Sequence, residues 1–120
     1  MDLQEIKDII NFVCEQEGCK NNLDVKFKTV KTYWAVIYTT RCKLYINTRL
    51  LIQPIEKQYQ TIIHETLHYV LNQGHTKKFK IKEDYYLAQF GLEALRNTKA
   101  VHVKGLIAAD RIVWHESLAY

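Results

Sequence analysis

The sequence predicts an α+β fold: an N-terminal helix, a small three-stranded sheet and two long helices, in a single domain spanning residues 1–120. Three observations carry this. Apolar residues recur at helical spacing near the start and again after residue 54. Strand-like alternation fills the stretch between them. The chain has only one proline and neither repeats nor low-complexity segments, so no linker divides it.

Each element follows from local pattern. "DLQEIKDIINFVCEQEG" sets Leu3, Ile6, Ile10 and Val13 on one helical face, with Asp2 as cap and Gly18 as stop. "LDVKFKTV" alternates Leu23, Val25 and Phe27 with polar residues, as a half-buried strand does. "TYWAVIYTT" and "CKLYIN" are rich in aromatic and β-branched residues and read as two more strands, joined in a hairpin around Thr40 and Arg41. Pro54 suits the first turn of a helix and Gly74 its end. Between them Ile55, Tyr59, Ile62, Ile63, Thr66, Tyr69 and Val70 form a broad face for packing. A supporting helix is expected from about Lys77 to Arg96, packing Phe79, Tyr86, Leu87, Phe90, Ala94 and Leu95. "KAVHVKGLIAADRIVWHESLAY" reads equally as a hairpin turning at Ala109-Asp110 or as a short helix.

Composition narrows the class. Apolar residues make up 48% and charged residues 25%, a globular balance rather than a disordered one. No apolar run approaches the roughly 20 residues that cross a bilayer, and the acidic, amphipathic start does not read as a signal peptide. Three cysteines, Cys14, Cys19 and Cys42, leave one over in any disulfide scheme and lack zinc-ribbon spacing, which points to a reducing compartment. The expectation is a cytoplasmic protein without a membrane partner. A net charge of +4 permits an anionic partner such as DNA without demanding one.

The chemistry concentrates in "TIIHETLHYVLNQGHTKKF", residues 61–79, which holds three of the five histidines. His64 and His68 stand one helical turn apart, where two imidazoles can converge on one tetrahedral zinc. Glu65, beside the first of them, can take a proton from a metal-activated water and pass it to a leaving amine. A catalytic zinc needs a third protein ligand and leaves its fourth position to water. Two residues qualify: His75, where the chain reverses after Gly74, and Glu83, on the helix that follows.

"LYINTRLLIQPIEKQYQTIIHETLHYVLNQGHTKKFK" resembles the catalytic core of the SprT-like zinc metallopeptidases, which include the Spartan proteases. The resemblance lies in a strand running into an Asn-x-x-Leu-Leu segment, then His-Glu-x-x-His, then a third histidine with a large aromatic four residues on, here His75 and Phe79. It implies a zincin-like fold, zinc held by His64, His68 and His75, Glu65 as catalytic base, and a protein or peptide substrate. Thr76 stands where that family often has glycine, and no cysteine-rich zinc ribbon follows. "HETLHYVLNQG" with "KEDYYLAQFGLEALRN" is also similar to the small ImmA/IrrE-like metallopeptidases of phages and mobile elements. That likeness would instead make Glu83 the third ligand.

Further features bear on partners. Lys77, Lys78, Lys80 and Lys82 lie close to the expected site, as a solvated helix face or as a phosphate-contacting patch for DNA or nucleoprotein. "YWAVIY", were it an edge strand beside the metal, would let an extended peptide pair with it. Tyr69 is a rim aromatic or a donor to an oxyanion, and His102 and His115 are isolated. The expected function is therefore zinc-dependent peptide hydrolysis. The alternative is a non-catalytic module, regulatory or nucleic-acid-binding, in which zinc only ties helices together.

Overall fold

The computed structural model describes residues 1–72, 74–93, 106–108 and 111–115. Helix α1, Leu3–Gln16, starts where Asp2 caps it: the Asp2 carboxylate accepts from the Glu5 amide, and Glu5 reaches back to the Asp2 amide. It stops at Gly18, whose φ of 67° lets the Cys19 amide close onto the Cys14 carbonyl at 2.8 Å. Ile6, Ile9, Ile10, Val13 and Cys14 form its buried stripe.

Strands β1 (Asp24–Lys28), β2 (Ala35–Tyr38) and β3 (Lys43–Asn47) are the three that the sequence pattern predicts. β2 and β3 form the expected hairpin, pairing Ala35 with Ile46 and Tyr38 with Lys43. β1 joins the far side of β3 in parallel, Val25 opposite Leu44 and Phe27 opposite Ile46. Two short strands from the stretch of undecided form extend the sheet: β4 (Leu106–Ala108) and β5 (Arg111–His115) pair antiparallel, with Ala108 opposite Arg111. Their antiparallel pairing is that of the hairpin alternative, whose turn at Ala109-Asp110 lies outside the described residues. The order is β1-β3-β2-β5-β4. β2 is consequently an interior strand and not an edge, because β5 pairs along its second side.

A 3-10 turn, Thr48–Ile52, leads into α2, Ile55–Leu71. Pro54 precedes α2 as expected but offers no side-chain cap. The Gln58 amide tightens this junction instead, donating to the Gln53 carbonyl at 2.7 Å. The helix ends before Gly74, because Asn72 takes the left-handed conformation with φ 50°. Asn tolerates that region better than other non-glycine residues. Helix α3, Lys77–Gln89, is shorter than the expected run to Arg96. Gly91, at φ 73°, lets the Leu92 amide bond the Leu87 carbonyl at 2.9 Å, which closes the helix. Phe79, Tyr86 and Leu87 are buried on α3 as expected and Phe90 is half-buried; Ala94 and Leu95 lie outside the described residues.

α2 packs against α1, α3, β2 and β5. Around it, Ile37, Leu44, Ile46, Leu50, Ile62, Ile63 and Leu67 join the α1 stripe in one core. Each such side chain contributes roughly 1.5–3 kcal/mol when fully buried. α2 thereby becomes the central element that carries His64 and His68.

Candidate metal centre

Residues 64, 65 and 68 fall within an arc of about 100° on a helix of 3.6 residues per turn. α2 accordingly buries all three on one side, with His64 3%, Glu65 0% and His68 1% exposed. Most histidine and glutamate side chains face water, so burial of three in five positions asks for compensation.

His75 supplies part of it. After α2 ends at Asn72 the chain reverses, and Thr76 caps α3, its hydroxyl accepting from the Phe79 amide at 3.1 Å. Held just ahead of that cap, His75 turns back towards α2. Its Nε2 lies 2.8 Å from Nε2 of His64 and 3.2 Å from Nε2 of His68, and the last two atoms are 3.1 Å apart. Three nitrogens thus meet at one point.

Phe79 forms the floor. Fully buried, its ring centroid lies 4.9, 4.6 and 5.4 Å from those of His64, His68 and His75. The sequence marked this aromatic by its spacing from His75 and as a packing residue of the supporting helix; its contact with all three imidazoles comes from α3 crossing α2.

Glu83 lies against Nδ1 of His64, on the far side of that ring from the point where the three Nε2 atoms meet. Its Oε1 accepts from Nδ1 of His64 at 2.9 Å, and the two side chains are 7% and 4% exposed. With Glu83 ionised, this bond would set the proton on Nδ1 and leave the Nε2 lone pair of His64 towards the other two imidazoles. Among the described residues, the group able to hold a metal is His64, His68 and His75, with Glu83 behind the first.

The donor set fits zinc. Two imidazole nitrogens on a tetrahedral zinc at about 2.0–2.1 Å stand about 3.3–3.4 Å apart. The observed separations of 2.8–3.2 Å are slightly tighter. Three neutral imidazoles cannot all bond one another around such a triangle, because each Nε2 either donates or accepts, whereas one cation satisfies all three lone pairs.

Asn47, at the end of β3, is a residue whose role the sequence did not disclose. Completely buried, its amide nitrogen donates to the carbonyls of Val30 and Tyr33, each at 2.8 Å, and its Oδ1 accepts from the Arg49 amide at 3.0 Å. It thereby ties the loop before β2 to the turn that launches α2. Only its place in the Asn-x-x-Leu-Leu segment signalled it.

Tyr69 donates to the Lys20 carbonyl at 3.2 Å, so it serves the rim and not the histidine cluster. Lys82 pairs with Glu17 at 2.6 Å and is half-buried, while Lys77, Lys78 and Lys80 of the expected patch are exposed. Burial works to raise the Glu17 carboxyl, but hydrogen bonds from Lys82 and Tyr86 outweigh it and hold the group below its ordinary range. All three cysteines are free thiols, and burial, with Cys19 nearby, pushes Cys14 up to about 11. His102 and the side chain of His115 lie outside the described residues. Among the described residues no helix is long and apolar enough to cross a membrane.

No family model and no curated protein matches the chain. Among solved structures it is similar to the metallopeptidase zymogen abylysin of Pyrococcus abyssi, at a TM-score of 0.59 and 16% identity, over 68% of this chain and 79% of that one. At that identity the likeness is one of fold. The chain has a metallopeptidase-like α+β fold with a histidine cluster compatible with zinc.

Proposed function

We propose that the chain is a single-domain, zinc-dependent peptidase of the His-Glu-x-x-His type, akin to the SprT-like enzymes. The observation that carries this is the meeting of three Nε2 atoms within 3.2 Å of one another, with Glu65 on the same buried side of α2. His64, His68 and His75 would hold the metal. Zinc, when bound, supplies a Lewis acid that polarises a peptide carbonyl and brings the pKa of a coordinated water down to about 7.

The chain's own residues do the rest. Glu65 takes the proton of the attacking water and returns it to the departing amine, so one carboxylate serves as base and then as acid. Glu83 keeps His64 in the tautomer that presents Nε2. Phe79 packs beneath the three rings and limits their rotation. A site held by three protein ligands favours catalysis over the purely structural alternative, since structural zinc is closed by four. Three are present among the described residues.

Glu65→Gln tests the reading. The variant should bind one zinc as tightly as the parent and cleave no peptide. Undiminished cleavage would refute the assignment of Glu65, and a metal-free protein indifferent to added zinc would refute the site.

A further inference from the structure

We infer that β5 occupies the edge of β2 on which an extended peptide substrate would pair, so that hairpin β4–β5 keeps the site latent until it moves aside. This rests on the peptidase reading above. A peptidase must hold its substrate extended, and an open strand edge beside the catalytic helix does so through backbone hydrogen bonds. β2 is the strand that packs on α2, and β3 already pairs along one side of it. Its second side is taken by β5, antiparallel, with Val36 opposite His115, Ile37 opposite Trp114 and Tyr38 opposite Val113. β5 also packs against α2, the helix that bears His64 and His68.

A second observation agrees. Glu65 must meet both water and substrate to act as a base, yet it is 0% exposed, and His64 and His68 are 3% and 1% exposed. In this structure both the catalytic residues and the β2 edge are withdrawn from solvent. β5 is thus an internal competitor: any peptide that adds to β2 must first displace it. When only a minor fraction of molecules is open, apparent affinity for substrate falls by that fraction.

The test uses the full chain, zinc-loaded. Trp114→Pro removes a backbone donor from β5 opposite Ile37, and proline is not tolerated inside a sheet. Open populations of about 0.1–10% predict that a peptide hydroxamate binds this variant roughly 10- to 1000-fold more tightly than the parent. The β2 amides should exchange faster in the variant, with zinc content unchanged. Cleavage of a quenched fluorescent peptide should rise in parallel and vanish when Glu65→Gln is added. Equal hydroxamate affinity, or unchanged β2 exchange, overturns the inference. Tighter hydroxamate binding without cleavage would sink the peptidase reading and leave the occlusion standing.

Should the proline variant fail to fold, a pair of cysteines at the opposed positions Val36 and His115 decides the matter. Oxidised by diamide, this protein should lose hydroxamate binding and regain it with phosphine reductant, while Val36→Cys alone does neither. Identical binding by the oxidised and reduced forms overturns the inference.

Discussion

Glu83 offers the sharpest test of how the centre is built. Its carboxylate lies 2.9 Å from Nδ1 of His64, with both side chains at most 7% exposed. A hydrogen bond to a charged partner contributes about 1.5–3 kcal/mol, and orienting partners of metal ligands are worth about 10- to 100-fold in metal affinity, or about 1.4–2.7 kcal/mol. The two ranges agree. Glu83→Ala should therefore weaken zinc binding by about 10- to 100-fold while keeping one zinc per chain. Glu83→Gln, whose amide oxygen still accepts but carries no charge, should recover about half of that free energy. His75→Ala removes a donor atom from the cluster and should cost more than either. Competition against a chromogenic chelator measures all three. If Glu83→Ala left affinity unchanged, the orienting role would fail. If it matched His75→Ala, Glu83 would be acting as a ligand.

Two further outcomes follow from groups away from the histidines. Asn47→Ala removes hydrogen bonds to the Val30 and Tyr33 carbonyls and from the Arg49 amide, all part-buried, so at about 0.5–1.5 kcal/mol per bond the variant should lose about 1.5–4.5 kcal/mol in urea unfolding; a loss under 1 kcal/mol, taken as roughly one ordinary hydrogen bond, would show the bridge to be dispensable. Glu17 sits below its ordinary value of 4.5 when folded, so its contribution is present above that pH and fades as pH falls through the folded value. With chelator present to exclude metal release, the parent should lose stability below that range, and Glu17→Gln should flatten part of the slope; an identical slope would show that the Lys82–Glu17–Tyr86 cluster contributes nothing.

Much of this protein could be read along the chain. Asp2, Gly18, Pro54 and the β2–β3 hairpin act within a few residues, so their consequences are local and their signals are short. The pairing of His64, Glu65 and His68 on one face is likewise a matter of helical period. One local signal was overrun: Gly91 interrupts an apolar pattern that continues to Leu95, and the backbone followed the glycine, because only it enters the left-handed region without strain.

Other features had no such signal. The parallel alignment of β1 with β3, the insertion of β5 beside β2, and the choice of His75 over Glu83 at the meeting point all join residues far apart in sequence. Periodicity says that a segment has an apolar face; it does not say which partner covers that face or at what angle. The crossing of α3 over α2 places Glu83 behind an imidazole and Phe79 beneath three, and that crossing is set by how the whole core packs. The sequence by itself therefore determined the two imidazoles and the carboxylate, because a single helical turn suffices to bring them together. The third nitrogen, the orienting carboxylate and the covered edge were decided only in the tertiary structure, where long-range packing selects among partners that local pattern leaves equal.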